Sequence, residues 1–167
     1  LSVTDNVILK KYRQSPIARG LMIDQTEATR FANNLKDEYD IIVPTVETPV
    51  RLLSGGNLQR VILAREISGE PALMIAMQPT RGLDVGAIEG VQRLLLEQRD
   101  AGAAILLVSE ELEELLTLSD RLFVIYEGQI MGEVTVDPVS GPSTDIETIG
   151  LMMTGTRQEQ IQAEGAA

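Results

Sequence analysis

The chain has 167 residues, with 14 basic and 25 acidic side chains for a formal charge of −11, and it contains neither Cys nor His. Those absences exclude thiol nucleophiles, imidazole bases and Cys/His zinc sites. An acidic surface with scattered Lys and Arg also disfavours a phosphate backbone as a partner, so no nucleic-acid role is expected. Apolar residues make up 44% of the chain but include only three Tyr and two Phe, so the core is expected to be aliphatic and base-stacking platforms are lacking. No apolar run approaches the about 20 residues of a membrane span, and Leu1 to Arg13 lack the pattern of a signal peptide. The sequence starts in mid-pattern at Leu1 and reads as a piece of something longer.

In chain order, Thr4 or Asp5 caps a first helix with Val7, Ile8, Leu9 and Tyr12 on its apolar side, ending near Ser15-Pro16. A loop at Gly20 follows. Asp24 with Glu27 three residues on has the form of a capping box, opening a helix to about Tyr39 with Ala28, Phe31, Ala32 and Leu35 in one stripe. Pro44 and Pro49 mark a connecting loop. After Ser54-Gly55-Gly56 a helix runs to about Ile67, with Leu58, Val61, Ile62 and Ala64 at helical spacing. Ala72 to Met77 is an unbroken apolar run, the pattern of a strand covered on both faces.

Pro79 to Asp84 reads as a turn, with Asp84 capping a helix over about Val85 to Ala101 that points Ile88, Val91, Leu94 and Leu95 inward. Ala103 to Val108 is a second buried strand. Ser109 is expected to cap a short helix with Glu110 and Glu111 in its first turn, where the helix dipole favours negative charge. Leu122 to Tyr126 is a third strand, turning at Glu127-Gly128 into Gln129 to Val134 as a hairpin. Asp137 to Thr144 reads as linker, Asp145 to Met153 as a short helix and Gly155 to Ala167 as a frayed tail. The order predicts an α/β fold with a parallel sheet behind a helical part, narrow for so many two-sided apolar runs.

One constellation carries chemistry. In Leu53-Ser54-Gly55-Gly56-Asn57, glycines let a backbone approach a phosphate, Ser54 adds a hydroxyl, and the following helix directs its N–H groups and dipole at an anion. Taken alone, Ser-Gly-Gly is more often a turn and cap. The run Leu-Ser-Gly-Gly-Asn-Leu-Gln-Arg-Val-Ile-Leu-Ala-Arg-Glu from Leu53 to Glu66, the apolar strand, and then Pro-Thr-Arg-Gly-Leu-Asp from Pro79 to Asp84 closely resemble the ATPase subunits of ABC transporters. The likeness runs from about Leu1 to Gly155. The Arg-Gly-Leu-Asp-Val-Gly-Ala run and the Asn that ends the signature resemble the importers of simple sugars and nucleosides, whose ATP-binding polypeptide carries two ATPase halves in tandem, and this chain is similar to the second.

The resemblance implies a partial P-loop NTPase fold, with a helical subdomain and a truncated, mainly parallel sheet flanked by helices. It divides the chain into a helical subdomain over 1–50, the signature helix and α/β core over 51–136, and a linker, short helix and tail over 137–167. The family's phosphate loop is absent from this sequence and is expected upstream of Leu1, as is the glutamine-bearing loop that follows it. The family's metal-holding Asp and water-polarising Glu fall at Met77 and Gln78, and its switch histidine falls at Glu110. A thioether is a poor ligand for Mg²⁺ and an amide accepts no proton from water, so the family's catalytic site is expected to be degenerate here. Plain strand-end packing is the expected role of Met77. Glu110, Glu111, Glu113 and Glu114 read as a solvated helix start, so no metal site is expected.

The family's head-to-tail pairing implies that Ser54, Gly55, Gly56 and Asn57 contact an ATP held by the other ATPase half, with Asp84 positioning that site or simply capping its helix. Implied partners are that half, transmembrane permease subunits and, indirectly, a solute-binding protein, at the cytoplasmic face of a membrane. ATP and Mg²⁺ belong to the full assembly, and this segment alone is expected neither to hydrolyse ATP nor to hold it tightly. The alternative is a non-catalytic docking or regulatory module on the permease. Sugar and nucleoside both stay open, with a lean to nucleoside from Gln78-Pro79-Thr80-Arg81 and Ser109-Glu110-Glu111-Leu112.

Overall fold

Ser2 opens the first helix by a reciprocal cap: its Oγ accepts from the Asp5 N–H at 3.0 Å, and the Asp5 carboxylate accepts from the Ser2 N–H at 2.8 Å. The structure is a computed structural model that describes residues 1–165 and divides into two units, one over Leu1–Val108 and one beginning at Ser109. Of the frayed tail expected over Gly155 to Ala167, residues 166 and 167 lie outside the described residues.

In the first unit, α1 spans only Val3–Val7, one cap earlier and far shorter than expected. Thr4 is no cap. It is buried and donates its hydroxyl to the Val46 carbonyl at 3.1 Å. Beyond α1 the chain turns repeatedly instead of continuing a helix, with Lys11 N–H donating to Ile8 O and Gln14 N–H to Lys11 O, each at 2.8 Å. The expected loop at Gly20 is a small hairpin of β1 (Ala18–Arg19) and β2 (Met22–Ile23), turned by Gly20 at φ +63°. Then α2 spans Gln25–Glu38 with Asp24 accepting from the N–H groups of Thr26 and Glu27, and it buries Ala28, Ala32 and Leu35. Tyr39 ends it. Burial first, and then the neighbouring Glu38 carboxylate, push the Tyr39 phenol up to about 12.

The loop after α2 is tied to the start of the chain by backbone bonds from Val3 to Thr48, from Thr4 to Val46 and from Val50 to Leu1. A single 3₁₀ turn, Val50–Leu52, then delivers the chain to α3, Gly55–Ile67. Strands β3 (Leu73–Met77) and β4 (Ala104–Val108) pair in parallel, Leu73 with Ala104 through Met77 with Val108, and α4 (Val85–Asp100) is the crossover that parallel pairing requires. Helix α4 packs on β4 and α3, while α1 packs on α2 and α3.

The strands are not covered on both faces among the described residues. Met74 and Ala76 are buried, but Leu73, Ile75 and Met77 on the opposite face are 59%, 66% and 75% exposed, joined by Leu106 and Val108. Alternation of side chains across a strand separates these two sets, and only one face has a helix against it. The Met77 side chain therefore does not pack at its strand end as expected.

In the second unit the third strand does not extend the parallel pair. Strand β5 (Arg121–Tyr126) pairs antiparallel with β6 (Gln129–Asp137), which pairs antiparallel with β7 (Gly141–Pro142) inside the stretch read as linker. Glu127 and Gly128, at φ +46° and +77°, form the tight turn between β5 and β6. Helix α5 is Leu112–Leu118, capped at Glu111; the Ser109 Oγ accepts from the Glu111 N–H at 3.1 Å but opens no helix at that point. The first turn accordingly carries Glu113 and Glu114 instead of Glu110 and Glu111.

Asp145 caps α6 (Ile146–Met153), and the described part of the tail is not frayed but forms α7 (Gln158–Gly165). The core here joins Leu122, Val124, Met131, Val134, Val136, Ile149 and Met152, with Ile161 of α7 packed against it. Ile161 and the Gln158 amide, which accepts from the Glu133 N–H at 3.1 Å, give the tail the apolar and polar contacts that a free end lacks.

Glu66 on α3 takes hydrogen bonds from Lys10 and from Arg65, the latter at 2.9 Å. Burial pulls its carboxyl upward, but the bonds to Lys10 and Arg65 outweigh burial and hold it below its ordinary value. A depressed folded pKa stabilises the fold above the unfolded value, and that contribution is lost as the pH falls through the folded one. Lys10→Met is expected to cost about 0.5 kcal/mol at neutral pH, shrinking towards zero in acid, measured by urea unfolding across the carboxylate range.

Candidate functional site

Helix α3 starts where its capping residue meets two glycines. Ser54 is extended, at φ −64° and ψ 159°, and its Oγ accepts from the Asn57 N–H at 3.4 Å and from Asn57 Nδ2 at 3.1 Å. The other end of the Asn57 amide, Oδ1, accepts from the Ile42 N–H at 2.7 Å. That donor fixes which way the amide points, so Nδ2 faces Ser54. The Leu58 N–H bonds the Ser54 carbonyl at 2.9 Å. A helix has no partner of its own for its first N–H groups, so those of Gly55 and Gly56 are directed out of its end, where the dipole is positive.

The glycines are required by packing as well. A Cβ on Gly56 would lie 2.7 Å from the Ala87 Cβ, and one on Gly55 would lie 3.2 Å from Leu83 Cδ2. The first turn of α3 thus touches the turn that opens α4. Asp84 caps α4, its Oδ1 accepting from the Ala87 N–H at 2.9 Å, which is the capping role foreseen for it. Ser54, Gly55, Gly56, Asn57 and Asp84 therefore belong to one contiguous structure in the first unit.

Met77 and Gln78 end β3 in the same unit. Met77 is exposed. Gln78 is half-buried at φ +50°, a left-handed conformation uncommon outside glycine, and its N–H continues the parallel ladder to the Val108 carbonyl at 2.7 Å. Its carbonyl accepts from the Arg81 N–H at 3.3 Å, starting the turn to Asp84. Glu110 lies in the second unit and is exposed. Among the described residues no three Asp or Glu gather to hold a metal ion, and no helix is long and apolar enough to cross a membrane.

No family model matches the chain. The guanosine import ATP-binding protein NupO of Bacillus subtilis is 45% identical to it over 158 residues, which cover 95% of this chain and 30% of NupO. The glucose import ATP-binding protein TsgD13 of Haloferax volcanii is 43% identical, covering 93% of this chain and 28% of its own length. The chain is homologous to a segment of ABC-importer ATP-binding proteins. The chain spans about 30% of the length of NupO. Its fold agrees: the dimeric ATP-binding cassette MJ0796, in a post-hydrolysis state with ADP and Pi, superposes with a TM-score of 0.68 at 24% identity, over 82% of this chain and 57% of that one.

Sequence reasoning missed Ile42, Leu83 and Ala87, which touch the Leu53 to Asn57 run from elsewhere in the chain. Their only signal was the pair of glycines, since two residues without side chains at a helix start announce a close neighbour without naming it. Gly56→Ala is expected to cost about 1–3 kcal/mol by driving its Cβ into Ala87. Ala87→Gly in the same chain should recover most of that loss, read as the midpoint of chemical unfolding.

Proposed function

We propose that this segment supplies the Leu53 to Asn57 signature of an ABC-importer ATPase half to an ATP site built with another ATPase half, which performs the hydrolysis. The observation that carries this reading is the start of α3, with the Gly55 and Gly56 N–H groups directed out of the helix and Ser54 beside them. That donor set fits a phosphate: N–H groups at the positive end of a 13-residue helix, and a hydroxyl whose oxygen already accepts from Asn57 and so offers its proton outward. Asn57 stands behind Ser54 and holds it. Asp84, by capping α4 at the point where Gly55 and Gly56 touch that helix, keeps the two turns in register.

Mg²⁺ does not fit the residues this chain offers. The end of β3 presents an exposed thioether, Met77, and a neutral amide, Gln78. Neither suits a hard cation, and Gln78 does not serve as a base for water, so no step runs through a metal held by this chain. ATP and Mg²⁺ belong in this reading to the complete assembly. Homology to NupO, a guanosine import ATP-binding protein, and to TsgD13, a glucose import ATP-binding protein, supports import of a nucleoside or simple sugar. The same homology supports permease subunits as partners, a solute-binding protein as an indirect one, and a peripheral place on the cytoplasmic face of the membrane.

Replacing Ser54 by Tyr in the full-length polypeptide that carries this segment, assembled with its permease, tests the reading. A fall in ATPase rate of more than about tenfold is expected, the size of effect seen when one stabilising donor is lost. An unchanged rate would identify the segment as a docking module.

A further inference from the structure

Behind the signature, the Arg60 side chain on α3 crosses the face of α4 to reach the end of α2. Its Nη1 donates to the Asp40 main-chain carbonyl at 2.7 Å and lies 4.0 Å from the Asp40 carboxylate, a longer and weaker pair, and its side chain is only 19% exposed. It passes α4 at Gly90, where a Cβ would lie 2.8 Å from Nη2. Asp40 holds the left-handed conformation, at φ +50°, that turns its carbonyl towards this side, and α4 contributes a second contact through Arg93 Nη2 on the Asp40 carboxylate at 3.5 Å. Two residues on, the Ile42 N–H is held by Asn57 of α3. The Asp40 to Ile42 turn is thus gripped by α3 at two points one helical turn apart, and in its present course the Arg60 guanidinium occupies the space a side chain at residue 90 would take.

We infer that Arg60 is a positioning residue for the signature: by threading over Gly90 to the Asp40 carbonyl, it sets how α3 lies against α4 and so where Ser54, Gly55 and Gly56 stand relative to Asp84. The inference rests on the function proposed above. The glycine contact with Leu83 and Ala87 sets α3 against α4 at their first turns, and roughly one turn further along Arg60 lies over Gly90 of α4 and ties α3 to the end of α2 through the Asp40 carbonyl. Arg suits this better than Lys, because a planar guanidinium lies flat across a glycine while directing its N–H groups at a carbonyl.

The test uses the full-length polypeptide assembled with its permease and reads ATPase kcat and KM, together with the Kd of a non-hydrolysable ATP analogue. Arg60→Met keeps the apolar stem, and Gly90→Ala pushes the guanidinium away without altering any charge. Each is expected to lower kcat about fivefold or more while KM and the analogue Kd change less than about twofold, because the nucleotide is captured by the other half and only completion of its site suffers. The double variant should be no slower than the slower single one, since both remove one contact. Asp40→Asn, which keeps the carbonyl and the left-handed turn, should leave kcat within about twofold. An unchanged kcat in Gly90→Ala, multiplying losses in the double variant, or a loss in Asp40→Asn equal to that of Arg60→Met would each overturn the inference. If Arg60→Met does not fold, Gly90→Ala and Asp40→Asn still decide it. A Ser54→Tyr variant of full activity removes the underlying reading, whereas an inactive Ser54→Tyr beside a normal Gly90→Ala removes only the role of Arg60.

Discussion

Helices α3 and α4 approach each other at their first turns more closely than side chains permit, and the arrangement of the first unit depends on that contact. Gly55 and Gly56 have no Cβ where Leu83 and Ala87 stand, so the residues that open α3 abut the turn capped by Asp84. The contact is rigid because both helix starts are capped by their own side chains, Ser54 on one and Asp84 on the other. A capped helix end has little freedom to fray, so two such ends in contact form a fixed platform. Whatever binds at the signature meets a surface already assembled.

Capping is also where this acidic chain spends part of its charge. Asp24, Asp84 and Asp145 accept backbone N–H groups in the first turn of a helix, and Asp5 accepts that of the capping Ser2. The carboxyls of Asp5 and Asp145 are held below their ordinary values by those bonds, to Ser2 and Thr148 respectively. A depressed carboxylate stabilises the folded form at neutral pH and ceases to do so in acid. Ser54, like Ser2, is a neutral cap, unlike Asp24, Asp84 and Asp145. An aspartate in its place would cap α3 equally well but would repel an anion at the same helix end, so the hydroxyl is the choice that leaves the N-terminus open to a phosphate.

The two ends of the functional reading are unequal. The signature run keeps its glycines, its hydroxyl and a helix dipole aimed outward, while the end of β3 carries Met77 and Gln78, which supply neither a hard ligand nor a base. Gln78 is nevertheless built into the structure: its left-handed backbone ends the parallel ladder and starts the turn to Asp84. This inequality accords with the function proposed above, in which the segment completes a site with another ATPase half.

Much of the helical framework was legible because its signals are local. An acceptor side chain before an apolar periodic run marks a helix start, and Asp24, Ser54 and Asp84 cap where the pattern placed them. The Glu127-Gly128 hairpin was legible for the same reason. Ser2 and Ser109 show the limit. Either Ser2 or Thr4 has the chemistry of a cap, and only the pull of Val46 on the Thr4 hydroxyl decides between them. Apolar runs said that β3 and β4 prefer to be covered, yet not which face has a helix on it. The sequence by itself determined the motif, the caps at Asp24, Ser54 and Asp84, and the parallel pair, because each depends on neighbours within a few residues or on one crossover helix. Tertiary structure alone decided that Gly56 meets Ala87, that Asn57 holds Ile42 and that Arg60 reaches Asp40 across Gly90. Those contacts join residues 15 or more positions apart, and no local propensity encodes which partners folding will bring together.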